Sequence, residues 1–156
     1  TQSSSPKARA AQSGEGKVVR VIDGDTVDVA MAEGNVRIRL YAIDCPEDGQ
    51  PWGKTATAGL IKLVGKKTAR IESHGEDKYG RTLGTLYVEQ SDGTEMNVNE
   101  RMVMLGHAWV MQAFYDHLPP ERKNSLSRIE NWARNKKVGL WKTPNPIPPW
   151  EWRKSN

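Results

Sequence analysis

Only one cysteine, Cys45, stands in the 156 residues, so no internal disulfide can form and the fold must rest on packing. No apolar run approaches the length of about 20 residues that crosses a bilayer, which excludes a transmembrane helix. The sequence has no Gly-x-Ser-x-Gly elbow, no phosphate-cradling glycine loop and no dinucleotide fingerprint, so the chemistries those motifs serve are not indicated. The three histidines, His74, His107 and His117, have no zinc-ligand spacing and no cysteine pair beside them, and they read as surface residues. No internal repeat is visible. What remains is a chain with 37% hydrophobic and 27% charged residues, suited to one compact domain with a strongly solvated surface. The start at Thr1, followed by a Ser-, Ala-, Gln- and Lys-containing stretch, reads as a trimmed N-terminus after export or as an artificial boundary.

The net charge of +4 is unevenly spread: residues 1–17 sum to +2, 18–116 to −4 and 117–156 to +6. A basic C-terminal part beside an acidic centre suits a polyanion binder that also holds a cation, or merely a solvated helix face.

Lys17 to Ile22 and Thr26 to Met31 are rich in Val and Ile and flank the turn Asp23-Gly24-Asp25, as a hairpin does. A third strand follows over Val36 to Ile43, where Val36, Ile38, Leu40 and Ala42 alternate with Arg37, Arg39 and Tyr41. Pro46, Gly49 and Pro51 make Asp44 to Gly53 a loop. Thr55 to Val64 is expected to be a helix with Ala58 and Ile61 turned inward, joined by Leu60 and Val64, and stopped at Gly65. Two further strands, Thr68 to Ser73 and Thr82 to Val88, precede a helix from Val98 to Leu105 capped by Asn97. A third helix runs from Pro119 and Pro120 to Lys137, with Leu126, Ile129 and Ala133 inward. Pro144 to Trp152, with four prolines and two tryptophans, reads as an extended arm. The expected fold class is α+β, a five-stranded OB-fold Greek-key barrel with three helices. Residues 1–16 are taken as a flexible lead, 17–142 as the domain and 143–156 as the arm. The tryptophans read as core and arm-docking residues rather than base-stacking platforms.

Four short pieces carry the chemistry: Ile22–Thr26, Arg39–Ile43, Asp44–Glu47 and Asp77–Arg81. Each alone has an ordinary reading as a hairpin turn, a strand residue facing solvent, a strand exit or a charged turn. Together they place carboxylates at the start of one strand and the end of its neighbour, where both can meet at one barrel rim. Asp25, Asp44 and the backbone carbonyl of Cys45 would then offer oxygen ligands to a hard cation such as Ca²⁺. The soft Cys45 thiol is a poor match for that ion. Glu47 lies within reach of a metal-bound water. Arg39 and Arg81 are guanidinium groups suited to gripping phosphate oxygens in a charged transition state.

These pieces resemble the staphylococcal (micrococcal) nuclease, or thermonuclease, family. Its I-D-G-D-T, R-x-x-x-x-D-x-P-E and D-K-Y-G-R motifs occur in order as Ile22–Thr26, Arg39–Glu47 and Asp77–Arg81, and the resemblance runs from about Lys17 to Trp141. It implies that Asp25, Asp44 and the Cys45 carbonyl bind Ca²⁺, that Arg39 and Arg81 hold the scissile phosphate, and that Glu47 acts as base or orients water. It further implies that Asp23 and Thr26 support the ligands from behind, and that Lys78 and Tyr79 touch a substrate phosphate. Family members cleave single-stranded DNA and RNA best and leave 3′-phosphate ends; the resemblance also implies a monomer with a secreted or periplasmic address. There are departures. Cys45 replaces a threonine, the loop from Asp48 to Gly53 is shorter, and Gln112 aligns with the base-stacking aromatic, with Phe114 and Tyr115 nearby. The alternatives are a non-catalytic OB module binding nucleic acid or protein, and a structural or adhesion module built on the arm.

Overall fold

The computed structural model describes residues 14–112, Tyr115 and residues 118–156. Strands β1 (Gly14–Asp23), β2 (Thr26–Met31) and β3 (Gly34–Leu40) form an antiparallel meander. A two-residue strand β4 (Ile43–Asp44) follows, then helix α1 (Gly53–Val64) and strands β5 (Thr68–Glu76), β6 (Thr82–Glu89) and β7 (Glu95–Asn97). Helix α2 (Val98–Met104), strand β8 (Trp109–Val110), helix α3 (Pro120–Lys136), a 3₁₀ turn (Gly139–Lys142) and helix α4 (Pro149–Ser155) complete the chain. Strand order β3-β2-β1-β5-β6 closes on itself through a parallel β3–β6 pairing. This is the expected five-stranded OB barrel. The pairing of β1 serves two partners: Gly14 to Lys17 face β5, and Lys17 to Asp23 face β2. Irregular register at Val18/Arg20 and Val21/Asp23 bends the strand between them.

Val18, Val27, Val29, Ile38, Leu40, Ile71 and Leu86 fill the barrel, and Leu60, Val64, Val98, Met102 and Val103 pack on it from α1 and α2. Burying each such side chain stabilises the fold by about 1.5–3 kcal/mol. A second, smaller cluster joins Trp109, Ala133, Leu140 and Trp141, with Trp52, Val138 and Trp150 packed against it.

Several expectations are corrected. There are four α-helices among the described residues, not three, because the Pro-rich arm ends in α4. Pro149 occupies the first turn of that helix, where a proline's missing N–H costs nothing. The first strand, expected from Lys17, already begins at Gly14, where β1 pairs with β5. The strand expected over Val36 to Ile43 breaks after Leu40. Tyr41 is buried rather than outward, and Ala42 takes φ 71°, a left-handed turn, before β4 starts. In α1 the inward positions are Ala56, Leu60 and Val64, while Ala58 is exposed and Ile61 is 51% exposed. In α3 the inward set is as expected, with Leu126 and Ala133 buried and Ile129 packed against the core, and Glu130 is buried beside them. The Asn97 cap is as expected: its side chain accepts from the Glu100 N–H at 3.0 Å.

Candidate active site

The turn between β1 and β2 sets the first carboxylates. Asp23 Oδ1 accepts from the Asp25 N–H at 3.1 Å, the local bond that makes Asp a turn residue. Gly24 between them is required by close approach: a Cβ there would stand 2.9 Å from the Cys45 Cβ and 3.1 Å from that of Ala56. The Asp25 carbonyl accepts from the Leu40 N–H at 2.8 Å, which ties the turn to the end of β3. One strand over, the reversal at Tyr41-Ala42 turns the chain so that Asp44 and Cys45 come back over that turn.

The result is one hydrogen-bonded cluster. Asp25 Oδ2 accepts from the Cys45 N–H at 2.9 Å, and Asp25 Oδ1 from the Thr26 hydroxyl at 3.2 Å. The Cys45 thiol donates to the Gly24 carbonyl at 3.1 Å. Arg39 does not face solvent; its side chain is 13% exposed. One nitrogen donates to the carbonyls of Leu40 and Ile43 at 2.7 and 2.8 Å, and the other reaches Asp44 Oδ1 at 3.2 Å and Asp25 Oδ2 at 3.5 Å. The Asp44 side chain is 0% exposed, and its Oδ2 is buried without a hydrogen-bond partner.

Charge in this cluster follows burial and neighbours. Burial opposes ionisation of Asp25, yet the Arg39 guanidinium and the bonds from Asp23, Cys45 and Thr26 hold its pKa below the usual carboxylate value. Burial, with the adjacent Asp25 charge, pushes Asp23 up to about 6. Burial also raises Asp44, against the pull of Arg153 and Arg39. The Cys45 thiol is pushed well above its ordinary value, first by burial and then by Asp25.

Glu47 lies on the exit loop, where Gln50 Oε1 accepts from its N–H at 3.0 Å. Its Oε2 accepts from Arg153 Nε at 2.6 Å, and the same guanidinium donates to Asp44 Oδ1 at 2.6 Å. Although partial burial works against the charged form, Asp44 and Glu47 raise the Arg153 pKa further. Nothing in the sequence marks this residue, which sits in the last turn of a Pro-rich arm without a motif. Gln50 and Arg153 are the two site neighbours that sequence reasoning missed.

Arg81, Lys78 and Tyr79 are held in the β5–β6 loop. Asp77 Oδ1 accepts from the Tyr79 and Arg81 N–H groups at 2.9 and 3.0 Å, and Asp77 Oδ2 from Arg81 Nε at 2.7 Å. Lys78 and Arg81 lie 5.3 and 5.5 Å from the centre of the Tyr79 ring, which is otherwise open to solvent. The structure thus gathers Asp23, Asp25, Thr26, Arg39, Asp44 and Cys45 directly, and Glu47 through Arg153. Arg81 stands in the loop just before β6, two positions ahead of Leu83, the residue that pairs with Arg39.

Two histidines are not the surface residues expected. His74 stacks on Tyr41 with ring centres 4.5 Å apart and its Nε2 lies 3.0 Å from the Thr85 hydroxyl. His107 Nδ1 accepts from the Trp52 indole at 3.0 Å, and burial lowers its pKa. His117 and Phe114 lie outside the described residues. Trp109 and Trp141 are buried and Trp150 packs on Trp109, as core and arm-docking residues should, whereas Trp132 is exposed.

As for a cation, among the described residues no three His, Cys, Asp or Glu side chains form a ready metal cluster. A set of two carboxylates and one backbone carbonyl is nonetheless the chemistry of a hard cation that keeps waters and takes a phosphate oxygen. The unpartnered buried Asp44 Oδ2 is the acceptor such an ion would satisfy.

An OB barrel whose rim joins buried carboxylates to an inward arginine defines a candidate site for a polyanion and a cation. Comparison with known proteins narrows this. The family described as staphylococcal nuclease homologue matches residues 37–143, and the chain belongs to that family. An uncharacterized endonuclease of Escherichia coli is 43% identical over 138 residues, covering 88% of this chain and 84% of that protein. Protein ParB of Escherichia coli is 39% identical over 145 residues, covering 90% and 80%. A micrococcal nuclease of Shigella flexneri is 37% identical over 145 residues, covering 90% and 81%.

Proposed function

We propose that the protein is a calcium-dependent nuclease that hydrolyses phosphodiester bonds of DNA and RNA, prefers single strands and leaves 3′-phosphate ends. The observation that supports this most is the buried Asp44 with one oxygen unpartnered, set among Asp25, Arg39 and Glu47 at one rim of the barrel. Family membership and the nuclease names of two relatives support the same reaction class.

In this reading Asp25, Asp44 and the Cys45 carbonyl hold Ca²⁺. When bound, the ion supplies positive charge to a phosphate oxygen and orients a water. Arg39 and Arg81 neutralise the charge that grows on the phosphate oxygens, a task for a group that stays ionised. For Arg39 the pivot is short, since its guanidinium already borders the carboxylates. Arg81 must let go of Asp77 to reach a phosphate. Glu47 accepts the proton of the attacking water, or orients that water, once its own contact with Arg153 is released. The 5′-oxygen then leaves with a proton from solvent. Asp23 and Thr26 fix the Asp25 carboxylate, and Lys78 and Tyr79 offer an exposed cation and ring to a neighbouring phosphate.

The deciding experiment is digestion of single-stranded DNA and RNA with added calcium or excess chelator, followed by end-group analysis. Cleavage that stops with chelator and yields 3′-phosphates is expected. Full cleavage in chelator would remove the metal, and binding without cleavage across calcium and pH series would favour a non-catalytic OB module.

A further inference from the structure

The C-terminal arm brings its own positive charge into the candidate site. Arg153 donates to Asp44 Oδ1 and Glu47 Oε2, both at 2.6 Å, while its side chain remains 43% exposed. These carboxylates belong to the set read above as ligand and water-handling group. Asp25, Asp44 and Glu47 contribute three negative charges when ionised; Arg39 and Arg153 together leave one, and Arg39 alone leaves two. A divalent cation therefore meets a much weaker field while Arg153 is seated.

The seating depends on tertiary contacts. Helix α4 has seven residues, too few to be stable without tertiary contacts. It is held by Trp150 edge-on to Trp109 with ring centres 5.7 Å apart, and by Gln50 Nε2 donating to the Ile147 carbonyl at 2.6 Å. A cavity of about 110 Å³, lined in part by Pro46, Gln50, Trp109, Ile147 and Trp152, lies between arm and loop. The same Gln50 side chain accepts from the Glu47 N–H, so the arm and the Glu47 loop share one clasp.

We propose that the C-terminal arm is an autoinhibitory strap: Arg153, seated on Asp44 and Glu47, occupies the carboxylates that calcium and its water use, so strap seating and calcium binding oppose one another. This rests on the reading of Asp25 and Asp44 as cation ligands.

The test is calorimetric titration of Ca²⁺ alone, without nucleic acid, into the full chain and into its R153Q, R153K and D25N variants, each checked for folding by circular dichroism. R153Q should bind calcium about tenfold more tightly, the change expected if the strap is seated nine-tenths of the time. R153K keeps the charge but not the fork that spans both carboxylates, and should fall between wild type and R153Q. In the unaltered chain, calcium should speed amide exchange in residues 150–155. Equal calcium affinity in wild type and R153Q, with D25N unable to bind, would overturn the strap and leave the ligand reading intact. No calcium binding by wild type or R153Q would overturn both. Unchanged affinity with lost hydrolysis in R153Q would make Arg153 a substrate residue and overturn the strap.

Discussion

Arg39 shows how much a single side chain can be asked to hold. One nitrogen serves two backbone carbonyls and the other reaches two carboxylates, a fork that a lysine's point charge cannot reproduce. Arg39→Lys should therefore lower the rate of nucleic-acid hydrolysis by about 10³ with little change in folded structure, measured as kcat/KM beside a far-ultraviolet spectrum. Arg39→Ala is the poorer experiment, since it strands buried carboxylates and costs about 3–5 kcal/mol of stability. Away from the site, buried Glu130 accepts from the Val110 N–H at 2.7 Å, and burial raises its pKa against the pull of that bond and of Arg134. A raised folded-state value means its contribution to stability is complete below the unfolded carboxylate pKa and fades as pH rises through the folded one. Glu130→Gln, which keeps an acceptor for Val110, should gain on wild type in denaturant midpoint as pH rises from 4.5 to 8. A constant difference across that range would contradict it.

At the scale of elements, the closure of the barrel depends on a residue that no pattern flagged. Asn99, on the buried side of α2, accepts from the Leu86 N–H at 3.2 Å and donates to the Tyr41 and Gly84 carbonyls at 3.0 and 3.1 Å. It thus joins α2 to β6 and to the chain just after β3. Asn99→Ala removes three hydrogen bonds to buried backbone groups, although the Gly84 carbonyl keeps the Tyr41 N–H as a donor, and should cost about 2–4 kcal/mol, read from urea unfolding. Strand alternation made β1, β2, β3, β5 and β6 legible, because their Val and Ile periodicity survives in the barrel. The break at Tyr41-Ala42 was not, since alanine carries no mark of a left-handed turn and the hydrophobic alternation runs straight through it. The inward face of α1 was misjudged for a similar reason: Ala58 and Ile61 are as apolar as Ala56 and Leu60, and only the barrel decides between two spacings. The motif residues Asp25, Arg39, Asp44 and Glu47 were legible as a group because both strand ends carry them. The inward turn of the Arg39 side chain was not, because it depends on carbonyls of the irregular segment.

For the molecule as a whole, the basic C-terminal part is less free than its charge suggests. Arg122 is bonded to Glu72 at 2.8 Å, and Arg134 lies over the Trp141 ring at 4.4 Å, so part of the positive charge is spent on internal contacts. The smaller tryptophan cluster therefore fastens α3 and the arm to the barrel through β8, which pairs with the Asp44 strand. Trp141→Ala should lower stability by about 3–5 kcal/mol and loosen that attachment, visible as faster proteolysis after residue 142 than in wild type.

The tryptophan contacts also make the protein its own spectrometer. Trp109 meets Trp141 at 4.4 Å and Trp150 at 5.7 Å, both edge to face, close enough for their indole transitions to couple. Of these three, only Trp150 belongs to the helix that carries Arg153. Departure of that helix would thus leave one half of the coupled signal and erase the other, so a calcium titration followed by ultraviolet circular dichroism should show a partial loss that Trp150→Phe abolishes.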